Sequence, residues 1–197
     1  MMKKSILLPI VTILVAAAIL LGASFGLRNV AAANAQQAHQ EMLQTLLPGS
    51  TLFTLEPYAG DDANIRSVHK GENGFVVETV TYGYAGEITM LIGVNNEGFV
   101  TGLVVREAHE TNGLGNNALT DHEFLAQFLN KTGEFTIGTA GADAFSGATG
   151  EVSEDAASVD AITGATVTSK AVARCVSSAV AYVTGADTTS SATSWGG

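Results

Sequence analysis

Between Gly74 and Glu107 the chain states one pattern three times: a run of β-branched and apolar residues, then a short turn containing glycine. The runs are "GFVVETVTYG" (74–83), "GEITMLIGV" (86–94) and "GFVTGLVVRE" (98–107), joined by "GYAG" at 83–86 and "NNEG" at 95–98. Connections this short admit only antiparallel neighbours, because a parallel crossover needs a dozen residues or more. These residues predict an antiparallel meander.

Helical patterns flank it. Residues 30–47 are rich in Ala, Gln and Leu, and "EMLQTLL" before Pro48–Gly49 reads as a helix end. "HETNGLGNN" (109–117) holds too much Gly and Asn for an element and reads as a loop. "TDHEFLAQFLNK" (120–131) has a Thr/Asp start and puts Phe124, Leu125, Phe128 and Leu129 on one helical face. "EFTIG" (134–138) is a further candidate strand, and 139–158, mostly Gly, Ala, Ser and acid with little to bury, reads as a surface loop. A last helix is predicted from Thr168 or Ser169 to about Val183, with Val172, Val176, Ala179, Val180 and Val183 at spacings of three and four. Cys175 beside that face reads as a small core side chain. The tail "GADTTSSATSWGG" has the composition of a disordered end.

Ser5 to Leu27 carries no charge over 23 residues. At about 1.5 Å per residue such a helix covers the roughly 30 Å hydrocarbon core of a bilayer. Lys3 and Lys4 precede it, so the positive-inside rule holds the N-terminus in the cytoplasm and everything after Arg28 outside the cell membrane. The alternative is a cleaved signal peptide, for which "AAANA" at 31–35 offers a site. The fold class expected is α+β: a single transmembrane helix, then an antiparallel-sheet domain flanked by helices. The expected division is 1–28 stub and anchor, 29–73 helical linker and lead-in, 74–184 folded domain, 185–197 tail.

Beyond Arg28 the chain holds 19 acidic residues against 6 basic ones, a net charge of −13. Such a surface repels phosphate backbones and excludes nucleic-acid binding. With Cys175 the only cysteine there is no intramolecular disulfide and no thiolate cluster for zinc or iron–sulfur. The histidines (His39, His69, His109, His122) have no metal-ligand spacing, and no paired carboxylates or Ser/His set indicates a catalyst.

One stretch remains. "VDAITGATVTSKAV" (159–172) places small and hydroxyl residues directly ahead of the last helix. A loop of this kind presents unpaired backbone N–H groups and the positive end of the helix dipole, which favours a phosphate. Gly164 and Ala165 allow close approach, and Lys170 adds a positive charge. The plainer reading is an N-cap by Thr168 or Ser169 with an ordinary turn before it.

"DAITGATVTS" resembles the flavinylation motif of FMN-binding domains, Asp-x-x-Ser/Thr-Gly-Ala-Thr, here Asp160, Thr163, Gly164, Ala165 and Thr166. "YGYAGEITMLIGVNNEGFVTGLVVREAHETNGLG" is similar to the meander of the same family. The resemblance implies FMN joined through its phosphate to Thr166 by a separate flavin transferase, with Val167 and Thr168 beside it. It further implies that a Glu-Thr-Pro-Gly-Leu-Gly loop lies near the flavin ring. Here that loop is Glu110, Thr111, Asn112, Gly113, Leu114 and Gly115, with Asn112 in the place of Pro. With the anchor and the length, the chain looks closest to the subunit-G family of Rnf-type complexes, which couple electron flow between ferredoxin and NAD⁺ to ion transport. A membrane-bound redox subunit among other subunits is implied, rather than a stand-alone catalyst. The competing reading is a membrane-tethered sensor whose loop grips a phosphorylated ligand reversibly.

A second copy, "DAFSGAT" (143–149), satisfies the short pattern with Thr149. The residues after each copy distinguish them. Thr149 is succeeded by Glu151, Glu154 and Asp155 without helical periodicity, whereas Thr166 precedes Lys170 and an amphipathic helix. Charge and dipole terms of about 0.3–1 kcal/mol each favour Thr166.

Overall fold

The computed structural model describes Ala16, residues 30–138 and residues 157–186. Residues 30–46 form helix α1. The chain divides into two units, Met1–Met42 and Leu43–Gly197. In the first, 30–42 is helical and mostly exposed, with Gln37 donating to Glu41 one turn on. The apolar run at 5–27, Ala16 apart, lies outside the described residues, as do the "DAFSGAT" copy and the tail from 187. Among the described residues no helix is long and apolar enough to cross a membrane.

The second unit is built on a sheet of β1 (Thr54–Glu56), β2 (Ile65–Lys70), β3 (Gly74–Tyr82), β4 (Glu87–Asn95) and β5 (Val100–Ala108). The strands lie in chain order, each antiparallel to the next. The last three are the meander that the sequence predicts. The helices are α2 (Gly115–Thr120), α3 (His122–Ala126) and α4 (Thr166–Thr184), and β6 (Phe135–Gly138) pairs in parallel with β7 (Ala157–Asp160).

Alternation along the strands gives the sheet two apolar faces. One packs Val77, Ile88, Met90, Ile92 and Val94 against Val172, Val176, Ala179 and Val180 of α4. The other packs Val76 and Leu91 against Leu43, Leu46 and Leu47 at the end of α1. Gly93 and Gly102 are paired across β4 and β5 under that end. A Cβ on Gly93 would collide with the Leu46 carbonyl, and one on Gly102 would stand 3.0 Å from the Leu46 Cα. The two glycines form a notch for backbone, and Thr101 Oγ1 donates to the Leu46 carbonyl in it at 2.6 Å.

Several expectations are corrected. The loop read at 109–117 ends in helix, since Gly115–Asn117 open α2. The helix read over 120–131 is shorter: Asp121 caps it by accepting from the Glu123 and Phe124 amides, and it closes at Ala126. Phe124 and Phe128 are buried as predicted, but Leu129 is exposed. Residues 157–160, read as loop, are β7, because Phe135–Gly138 supplies a partner that local pattern cannot reveal. Residues 54–56 and 65–70, read as lead-in, add two strands to the sheet.

Cys175 is buried between α4 and the sheet. Burial pushes its thiol from 9.0 up to about 11, with the neighbouring Thr79 hydroxyl and the Arg174 charge pulling the other way. The folded chain thus holds this proton more tightly than the unfolded one. The resulting stability is intact below pH 9 and is lost as pH rises through 11, a difference of about 2–3 kcal/mol. Cys175→Ala is expected to flatten the alkaline limb of urea-unfolding stability between pH 9 and 11; an unchanged slope would count against this account.

Candidate functional site at the start of helix α4

Four segments meet where α4 begins: the 83–86 turn, the 109–115 loop, the 161–165 turn and the first turn of the helix. Strand β7 delivers the third. The Asp160 amide donates to Gln127 Oε1 at 2.9 Å, which ties the strand end to α3. The Ala165 amide then closes a turn on the Ile162 carbonyl at 2.9 Å, with Gly164 at φ +81°. That left-handed backbone suits glycine, and a Cβ there would meet Leu114 Cδ2 at 3.3 Å.

The helix starts two or three residues earlier than the Thr168 or Ser169 that the sequence predicts. Thr166 is its first residue, and the N-cap is Ala165, which makes no side-chain cap bond. Thr168 and Ser169 are inside the helix and do not cap it. Thr168 Oγ1 donates to Glu110 Oε2 at 3.3 Å, and Ser169 Oγ accepts from the Ile162 amide at 3.3 Å. The first turn therefore has no side-chain cap and no acidic residue. Its amide groups and the dipole of a 19-residue helix make the space at Thr166 favourable for an anion. Thr166 is half-buried, and Lys170 stands exposed one turn on. Arg66, Lys70 and Arg106 are each paired with a carboxylate elsewhere.

The 109–115 loop is held by its own backbone. The Thr111 carbonyl accepts from both the Leu114 and Asn116 amides, at 3.3 and 3.2 Å, and Gly113 turns the chain at φ +84°. Thr111 and Gly113 thus act through backbone. Leu114, 49% exposed, leans over Gly164, and Val167, 47% exposed, stands beside Thr166. Glu110 turns inward: Oε1 accepts from the Tyr84 amide at 2.7 Å and the Ala85 amide at 3.3 Å, while Oε2 accepts from Thr168.

Of the residues named from the sequence, the structure brings together Glu110 with Thr168 and Leu114 with Gly164, around Ala165 and Thr166. Thr163 is exposed at the rim. Sequence reasoning passed over Tyr82 and Tyr84, which are 71% and 73% exposed at the end of β3 and in the turn held by Glu110. The available signal was an aromatic in a tight glycine turn, where no core accounts for it. Arg174 donates to the Tyr82 carbonyl at 3.3 Å and joins that turn to α4. Among the described residues no group of His, Cys, Asp and Glu could hold a metal ion.

The model of the FMN-binding domain family matches residues 83–181, from that turn to the last turn of α4. The chain belongs to the FMN-binding domain family. Its match spans all four segments of the site, and FMN is the cofactor the domain is built for. An exposed glycine turn at positive φ, an uncapped helix start and apolar side chains at the rim suit a phosphate bearing a flat ring system. No curated protein matches the chain. Among solved structures, Shewanella oneidensis NqrC is similar at 22% identity over 68% of this chain and 65% of that one, with a TM-score of 0.43. The C subunit of the Na⁺-translocating NADH-quinone reductase from Parabacteroides distasonis is similar at 18% identity over 68% and 76%, with a TM-score of 0.49. The chain thus spans under two thirds of the first of these.

Proposed function

We propose that the chain is a membrane-anchored flavoprotein subunit of an Rnf-type ion-translocating electron-transport complex. In this reading a separate flavin transferase joins FMN through its phosphate to Thr166 Oγ1, cleaving the phosphoanhydride of a flavin dinucleotide whose nucleoside monophosphate leaves with the hydroxyl proton. The domain stands outside the cell membrane. The observation that carries the reading is the start of α4: a family-motif threonine as first helical residue, no side chain capping the turn, and Gly164 at φ +81° opening access to it.

FMN when bound supplies electron transfer in one- and two-electron steps. The protein's own part is placement. The first-turn amides and Lys170 balance the phosphodiester charge, by about 1 kcal/mol or less at an exposed helix end. Ala165 and Gly164 leave room for the transferase to reach the Thr166 hydroxyl. Leu114 and Val167 offer apolar surface on either side of the turn. No residue is needed as acid, base or nucleophile in electron relay, and attachment keeps the cofactor from diffusing away.

Intact mass and in-gel flavin fluorescence of the full chain from its native membrane test the reading. The mass should carry one FMN phosphodiester, and fluorescence should stay with the denatured band. Fluorescence lost on denaturation would replace this reading with reversible ligand binding. Topology is tested separately: protease added to spheroplasts should digest the domain, and protection there with digestion in inverted vesicles would reverse the orientation.

A further inference from the structure

We infer that Glu110 is the positioning residue of this site, a joint holding three segments around Thr166 rather than a group acting on the flavin. The inference rests on the reading that Thr166 carries the cofactor. Each oxygen of the Glu110 carboxylate serves a different segment. Oε1 takes the Tyr84 and Ala85 amides, 26 and 25 residues back along the chain. Oε2 takes the Thr168 hydroxyl, 58 residues ahead in the first turn of α4. The 83–86 turn, the 110–115 loop and the helix therefore have one common contact.

Two glycines make space for it. A Cβ built on Gly83 would overlap Glu110 Oε1, and one built on Gly115 would overlap Oε2. The Gly115 Cβ would also stand 2.7 Å from Thr168 Oγ1. These are distinct segments, each lacking a side chain where the carboxylate passes. The carboxylate thus faces the protein's own donors, and two of its bonds go to backbone amides that a variant cannot remove. Tyr84 and Ala85 lie in an exposed turn, so loss of Glu110 would leave those amides to exchanging water and release the turn that carries Tyr84.

Geometry separates positioning from direct action. Glutamine keeps every bond: its Oε1 accepts from the Tyr84 and Ala85 amides, and its Nε2 donates to Thr168 Oγ1, which accepts as readily as it donates. Glutamine removes only the charge. Alanine removes all three bonds.

The test uses the full chain co-expressed with a flavin transferase, as wild type, Glu110→Gln, Glu110→Ala and Gly115→Ala. Three quantities are read: hydrogen exchange at the Tyr84 and Ala85 amides, circular dichroism in the flavin absorption bands, and flavin reduction potential. Glu110→Ala is expected to speed exchange at both amides at least tenfold and to collapse the flavin dichroism. Gly115→Ala, which keeps the carboxylate but displaces it, should change both in the same direction. Glu110→Gln should match wild type in exchange and dichroism, with a potential displaced less than in Glu110→Ala, because only the charge has gone. Wild-type exchange in Glu110→Ala would overturn the inference, as would a potential in Glu110→Gln displaced as far as in Glu110→Ala, since charge rather than placement would then be the operative property. Should Glu110→Ala fail to fold, Glu110→Gln and Gly115→Ala decide alone. A wild-type chain without flavin would remove the proposed function, and the exchange measurement would still judge the joint.

Discussion

Thr166→Ala is expected to abolish covalent flavin completely while leaving the domain folded. The hydroxyl is the only atom of Thr166 that can form the phosphoester, so its removal is absolute rather than graded. Stability should barely move. Thr166 is half-buried at the first helical position, its hydroxyl makes no cap, and alanine is the better helix former. A change within about 0.5 kcal/mol is expected. Thr166→Ser retains the hydroxyl and should be modified in part. Thr149→Ala should carry a full complement, since Thr149 is followed by carboxylates where Thr166 is followed by a helix. Intact mass of the three variants, co-expressed with a transferase, checks this. A flavinylated Thr166→Ala chain would move the attachment site elsewhere.

The largest stability effect is expected for Phe128→Ala. Phe128 is fully buried just past α3 and holds two rings edge-on or tilted, Phe124 at 5.4 Å and Phe135 at 5.3 Å between centroids. Removing it costs the transfer free energy of the ring plus a cavity at the junction of α3, β6 and the sheet, about 3–5 kcal/mol together. Against a typical stability of about 5–15 kcal/mol, that lowers the melting temperature by about 10 °C or more. Leu129→Ala, one residue on but exposed, should cost under about 1 kcal/mol. Thermal unfolding of the pair is the measurement. Equal effects would mean that the aromatic cluster is not the packing centre of this end.

What could be read in the sequence was what is local. The meander was legible because β3, β4 and β5 each have nine residues and glycine turns between them. The body of α4 was legible because its valines and alanines recur on one face. β2 escaped because a register shift between Ile65 and Ser67 breaks the period-two signal. β7 escaped because four residues show no pattern, and its pairing with β6 is a tertiary fact. The same division runs through the site. The motif named Thr166 and the loop named Glu110, but the start of α4 was placed too late. Thr168 and Ser169 have good N-cap chemistry, and only the fold shows their hydroxyls already engaged by Glu110 and Ile162. That the Glu110 carboxylate serves the Tyr84 turn was equally out of reach, since nothing local links residues 84 and 110.

The buried thiol of Cys175 makes the chain its own clock. Burial raises the pKa of Cys175, so the thiol stays protonated at pH 7, and α4 shields it from solvent. An alkylating reagent can therefore react only after the helix leaves β3, and the labelling rate counts those departures. Substitutions that loosen α4, including any that empty the space under Val176 or Ala179, would quicken the count before they visibly lower stability. In air the same departures would let two chains join through their single cysteines, so a covalent dimer on a non-reducing gel would record a helix that had come away from its sheet.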